Sequence, residues 1–239
     1  MTDTSPAFAK INISLDIVSK MDDGYHNLKM VMQTVSLSDE ITVVCEKRSP
    51  DTKRSSDIKH SSNSKRSSNS RGEGITIDAG LPYLPDDERN IAVKAAFVFF
   101  NHTGISGYHT QINIKKSIPV SAGLGGGSAD AACVLRMLNR MFKTGLDRRA
   151  LEKLGETIGS DVPFCINGGT KLAEGRGEML TDLPAIPKSS IVICKPPFSC
   201  STPELFRRVK CEKIRARPDT DGLIKALGDA DIGGVARRM

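Results

Sequence analysis

The stretch Pro119-Val-Ser-Ala-Gly-Leu-Gly-Gly-Gly-Ser-Ala-Asp130 restricts the architecture of this chain more than any other. It stands between a strand pattern at Gln111–Ile114 and an apolar-periodic run from Ser128 to Phe142. In that run Val134, Leu135, Leu138, Met141 and Phe142 form one helical stripe. Strand, glycine turn and helix start, in that order, make an anion cradle. Gly125, Gly126 and Gly127 let the backbone approach a ligand without Cβ obstruction, and their N–H groups can converge on it. The helix start adds unpaired N–H groups and the positive end of its dipole. No Lys-Ser/Thr follows the last glycine, so the loop is not a Walker A motif. Counted from Gly123, the sixth position is Ser128, so it is not a dinucleotide fingerprint either. A flexible linker would not be braced between a strand and a strongly periodic helix, and phosphate binding is the better reading.

Upstream, Ile11, Ile13, Leu15 and Ile17 alternate with Lys10, Asn12, Ser14 and Asp16. A period of two predicts a strand over 8–17, with the aliphatic set on one face and Lys10 and Asn12 together on the other. Met21-Asp-Asp-Gly24 signals a turn, followed by strands near Leu28–Ser36 and Ile41–Cys45. Ile75–Asp78 reads as a further strand, and Asn90 as the cap of a helix over Ile91–Phe100. Another helix is expected over Arg148–Ile158. Beyond Gly169 the pattern shifts to short strands and Pro-rich connections, which predicts a domain boundary there.

Residues 46–74 are rich in Ser, Lys and Arg and hold almost no large apolar side chains, so they are read as a disordered surface loop. This stretch carries eight Lys/Arg against four Asp/Glu, four of the six net positive charges of the chain. The basic balance therefore does not describe the body of the protein. A nucleic-acid-binding arm is disfavoured because no aromatic residues interleave the charges. The six cysteines form no CxxC pair, and the four histidines no HExxH pattern, so no protein-held metal is expected. No run approaches the roughly 20 apolar residues of a membrane span, and the first residues lack a secretory pattern. A cytoplasmic location is the default expectation.

Three segments carry a resemblance. They are Ala9-Lys-Ile-Asn-Ile-Ser-Leu15 with Asp23-Gly-Tyr-His26, then Pro119–Ala129, then Ile158-Gly-Ser-Asp-Val-Pro-Phe164 with Ala173-Glu-Gly-Arg-Gly-Glu178. On these the chain resembles the GHMP kinase superfamily and, within it, the diphosphocytidyl-methylerythritol kinase family. The resemblance implies an α+β, two-domain fold. Residues 1–168 would form a ribosomal-protein-S5-like ATP-binding domain, and 169–239 a smaller α+β C-terminal domain. It also implies a third glycine-rich motif near the C-terminus, which Gly233–Met239 does not supply, so that domain is expected to be incomplete.

The implied reaction moves a phosphoryl group from ATP, with Mg²⁺ carried by the nucleotide, to the 2-hydroxyl of the diphosphocytidyl sugar alcohol. By the same resemblance Asp161 is the catalytic base and Lys10 its partner. Pro119, Val120, Ser121, Ala122, Gly123, Leu124, Gly125, Gly126, Gly127, Ser128 and Ala129 hold ATP, with Asn90 and Lys115. Asn12, Tyr25, His26, Thr202 and Phe206 hold the acceptor, Phe206 by stacking on cytosine. The expected partners are small molecules, with no nucleic acid or membrane, and the chain is expected as a monomer or weak homodimer. Two other readings stay open: a GHMP kinase for a different alcohol, and a shortened, inactive nucleotide-binding remnant.

Overall fold

A computed structural model describes residues 1–48, 74–196, 198 and 202–239; the side chains of Thr202 and Pro203 lie outside that description. So do Cys200 and residues 49–73 of the Ser/Lys/Arg-rich stretch, and the reading of that stretch as a disordered loop falls there. The elements run β1 (Thr2–Lys20), β2 (His26–Lys47), β3 (Ile75–Asp78), α1 (Ile91–Thr103), β4 (Tyr108–Lys115) and α2 (Gly126–Phe142). Then come α3 (Arg148–Glu156), α4 (Val162–Asn167), β5 (Thr170–Gly175), β6 (Met179–Asp182), α5 (Thr202–Arg208), α6 (Thr220–Gly228) and α7 (Ile232–Ala236).

β2 is the spine of a mixed six-stranded sheet. One edge pairs antiparallel with β1 along the whole hairpin, from Thr2 opposite Val44 to Lys20 opposite His26. The other edge pairs with β4 over Glu40–Lys47 and with β5 over Leu28–Gln33. β3 adds parallel to β4, and β6 antiparallel to β5. The two strands expected at Leu28–Ser36 and Ile41–Cys45 are thus one. The polar residues between them looked like a connection, but Asp39 is fully buried and bonded to the chain that follows β4.

The expectation that Ile11, Ile13, Leu15 and Ile17 share a face is corrected. A β-bulge between Asn12 and Ser14 inserts one residue, and a one-residue shift reverses the side chains that follow, up to the next irregularity between Ile17 and Ser19. Ile11 and Ile13 pack with Val31 and Leu223 on one side of the sheet. Ile17 packs on the opposite side.

That opposite side carries the main core, where Phe99 of α1, Leu135 and Leu138 of α2 and Phe164 of α4 lie on Met32, Ile41, Val43 and Ile112. Each such buried side chain contributes about 2 kcal/mol. The stripe expected on α2 is the one that faces this core. Asn90 caps α1 as read, accepting from the Ala92 N–H at 3.0 Å. α6 and α7 cover the second face through Leu223, Leu227 and Val235, with Arg217 paired to Asp16 at 2.6 Å and Lys29 to Asp221 at 2.9 Å. The boundary drawn after residue 168 does not coincide with a break in the sheet, since β5 and β6 extend it. Among the described residues no helix is long and apolar enough to cross a membrane.

Candidate active site

Lys10 sits in the middle of β1, and its buried stem lies along the glycine loop. Its backbone N–H donates to the Leu124 carbonyl at 2.9 Å, tying strand to loop. Gly125 has a positive φ of 67°, and a Cβ built on it would stand 2.8 Å from Lys10 Cγ. The side chain of Lys10 is 7% exposed, and its Nζ reaches Asp161 Oδ2 at 3.3 Å and Asn12 Oδ1 at 3.4 Å.

Asp161 immediately precedes α4, whose first turn holds Pro163, a position where a missing N–H costs nothing. Its carboxylate makes no capping hydrogen bond, so helix capping does not explain it. It turns to Lys10 instead and stays 32% exposed. Arg136 of α2 donates to the Cys165 carbonyl of α4 at 2.5 Å, which joins the helix after the loop to the helix that carries Asp161.

The loop is built differently from the sequence reading in one respect. The bare faces of Gly125, Gly126 and Gly127 are filled by Lys10, Ile118 and Ile91 respectively. These glycines therefore admit close packing by the protein's own side chains. Gly123, with φ of 74° and nothing within 4 Å of its Cβ position, is the glycine that faces open space. α2 begins at Gly126 with Gly125 as its cap, and no side chain satisfies the first N–H groups. They are the donors a phosphate would take.

A buried ion cluster staples the loop. Asp39 Oδ1 accepts from the Ser117 and Ile118 N–H groups at 2.6 and 2.8 Å, fixing the chain as it leaves β4. Lys116 Nζ bridges Asp39 at 2.5 Å and Asp130, the fifth residue of α2, at 2.9 Å. Two carboxylates share one ammonium, and Asp130 Oδ1 has no hydrogen-bond partner among the described residues. Burial pushes the Asp130 carboxyl up to about 7, against the pull of Lys116 and with the help of the Asp39 charge. Burial alone would lower Lys116, but the carboxylates of Asp130 and Asp39 outweigh it and hold it above its ordinary value.

A second group gathers at the far end of the β1–β2 hairpin. His26 is buried, its Nε2 has no hydrogen-bond partner among the described residues, and its ring lies 5.4 Å from that of Phe206 on α5. Tyr25, 55% exposed, lies under the guanidinium of Arg176. Asn90 is committed locally, donating to the Pro85 carbonyl at 3.0 Å besides capping α1. Lys115 is exposed opposite Glu40, on the other side of β4 from the buried Ile112 and Ile114. Its neighbour Lys116 is the lysine turned toward the loop. The side chain of Thr202 is outside the described residues.

So Lys10, Asn12, Asp161 and the loop come together, as do His26 and Phe206. The sequence reading did not assign Asp39, Lys116, Asp130 or Arg176. Asp130 and Arg176 stood inside quoted motifs; what gives them meaning is contacts across the fold, to which no local spacing points.

The model of the GHMP kinases N terminal domain matches residues 90–169, the span from α1 through α4. A 4-diphosphocytidyl-2-C-methyl-D-erythritol kinase of Acetivibrio thermocellus is 41% identical over 98% of this chain and 73% of its own length. One from Clostridium beijerinckii is 42% identical over 98% and 74%. Among solved structures, a 4-(cytidine 5'-diphospho)-2C-methyl-D-erythritol kinase superposes with a TM-score of 0.69 at 28% identity, covering 95% of this chain and 72% of that one. A homoserine kinase from Cytophaga hutchinsonii, at 16% identity and a TM-score of 0.65, shares the fold. With a glycine loop, a Lys10–Asp161 pair and relatives of this identity over nearly its whole length, the chain belongs to the 4-diphosphocytidyl-2-C-methyl-D-erythritol kinase family of the GHMP kinases.

Proposed function

We propose that this chain transfers the γ-phosphoryl group of ATP to the 2-hydroxyl of 4-diphosphocytidyl-2-C-methyl-D-erythritol, with Lys10 and Asp161 as its catalytic residues. The observation that carries the reading is the Lys10–Asp161 pair at 3.3 Å, set against Gly125 of an uncapped glycine loop. Phosphoryl transfer asks for positioning and charge neutralisation more than for a strong base. The acceptor oxygen bonds to the γ-phosphorus, its proton passes to the Asp161 carboxylate, and ADP leaves with the electron pair of the broken P–O bond. Lys10 holds Asp161 in place and offers positive charge to the attacking oxygen. The free N–H groups at the start of α2 suit phosphate oxygens. Mg²⁺ arriving with the nucleotide would neutralise charge on the phosphates, held chiefly by phosphate oxygens and water. Asn12 shares the Lys10 face and is assigned to the acceptor, together with Tyr25, His26, Thr202 and Phe206.

The test is ADP release with ATP, Mg²⁺ and the diphosphocytidyl alcohol. Acceptor-dependent release is expected, with a loss of about 10²–10⁴-fold in kcat for Asp161→Asn. A folded, ATP-binding chain that releases no ADP on adding this acceptor would sink the reading.

A further inference from the structure

Tyr25 presents a large aromatic ring to solvent at a hairpin turn, where a side chain normally rotates freely. Here it is held. The Arg176 carbon Cζ lies 4.4 Å from the ring centroid, so one face of the ring is covered by a guanidinium. That guanidinium is aimed by an ion pair from its Nη2 to Asp23 Oδ2. The other oxygen of Asp23 accepts the Tyr25 backbone N–H at 2.9 Å. Tyr25 in turn closes the turn by accepting from the Met21 N–H at 2.7 Å. On the opposite hairpin, β5–β6, the Arg176 N–H donates to Glu178 Oε2 at 2.7 Å, and Gly177 donates to the Glu174 carbonyl at 3.0 Å. Two turns far apart in sequence are thus joined through a carboxylate, a guanidinium and a ring.

An exposed ion pair alone contributes little to stability, so stability does not account for this arrangement. Its geometric effect is definite: a cation stands against one face of Tyr25 while the residue keeps 55% of its surface exposed, enough for a planar ligand to reach the ring. The residue after it, His26, adds a buried nitrogen with no hydrogen-bond partner among the described residues, a candidate contact for a polar ligand edge.

We propose that Arg176, aimed by Asp23, is a positioning residue of the acceptor site that fixes the Tyr25 ring for stacking against a pyrimidine base. The inference rests on the acceptor reading given above and adds to it the device that sets base affinity. Arg176 acts through Tyr25, so its effect depends on the ring.

The experiment is titration calorimetry of the full chain with diphosphocytidyl-methylerythritol, with steady-state kinetics alongside. Arg176→Gln is expected to weaken acceptor binding and raise its KM by about tenfold. The kcat and the KM for ATP should stay within about twofold. Arg176→Lys, which keeps a cation for ring and carboxylate, restores part of the loss. In a Tyr25→Ala background, Arg176→Gln adds nothing. Unchanged affinity in Arg176→Gln overturns the proposal and leaves the acceptor reading standing. A full additional loss in the Tyr25→Ala background also overturns it, because Arg176 would then act on the ligand directly. Failure of the unaltered chain to bind the acceptor overturns both. A thermal melt of each variant, expected to match the unaltered chain, separates positioning from folding.

Discussion

The glycines of the loop have separate physical duties, and substitutions can tell them apart. Gly125 has a left-handed backbone and lies against the stem of Lys10, with 2.8 Å between its Cβ position and Lys10 Cγ. Gly123 has the same backbone region but open space in front of it. An alanine at either position is strained by about 1 kcal/mol. Only at Gly125 does the added methyl push on Lys10, the side chain proposed to be catalytic. Gly125→Ala is therefore expected to displace Lys10 from Asp161 and lower kcat by at least about tenfold. Gly123→Ala narrows the open space assigned to the nucleotide in the proposal above, so it should raise the KM for ATP with kcat little changed. Steady-state kinetics with ATP and acceptor varied in turn distinguishes the two. A fall in kcat of equal size for both would show that the loop answers as one flexible unit.

Between β4 and α2, loop geometry depends on the cluster of Asp39, Lys116 and Asp130, and this cluster makes the elements respond to pH. In the unfolded chain Asp130 ionises near the ordinary 3.8, and in the fold burial moves it to about 7. Between those values the folded chain keeps a proton that the unfolded chain has lost. The stabilisation is complete below the unfolded value, declines as pH rises, and is gone once pH passes the folded value. The groups facing Asp130 here are Lys116 from the end of β4 and Asp39 from β2. Thermal melts should show a loss on the order of 1 kcal/mol from pH 6 to pH 8, absent in Asp130→Asn. Identical pH dependence in the two proteins would place the titration elsewhere.

The same elements show what a sequence can and cannot tell. The α2 helix was legible because Val134, Leu135 and Leu138 repeat at its own period, and the α1 cap because Asn90 acts on its immediate neighbours. Lys10 and Asn12 could be placed on one face because they precede the bulge. The unity of β2 was not legible, since Asp39 looks like a turn residue until its partners at 116–118 arrive from another element. Nor was the reversal after Asn12, because a bulge leaves no composition signal in Ile-Asn-Ile-Ser. Arg176 was visible as a motif letter, but its contact with Tyr25 is a product of the whole sheet.

Across the whole molecule, the described residues that flank 49–73 and the glycine loop lie at opposite ends of β4. Lys47, the last residue of β2, is paired with Tyr108, and Ile75, the first of β3, with Thr110. The chain therefore leaves the sheet before residues 49–73 and rejoins it after them, both times beside the start of β4. The glycine loop follows the other end of that strand, beyond Lys115. An eight-residue strand spans about 25 Å, more than twice the screening length of roughly 8–10 Å at physiological salt. The two points where residues 49–73 join the sheet are thus beyond the screening length from the glycine loop. Those residues hold six Lys/Arg and three Asp/Glu, and removing them halves the net charge from +6 to +3. Joining residue 48 to 74 with a short Gly/Ser linker is expected to leave kcat and both KM values within about twofold. The same deletion should move elution from a heparin column to lower salt, since retention follows clustered positive charge. Loss of turnover in a folded deletion variant would tie the stretch to the site despite the length of β4. Unchanged elution would mean that the basic surface belongs to the folded body, where Lys115 and the arginines of the C-terminal helices would be the next residues to substitute.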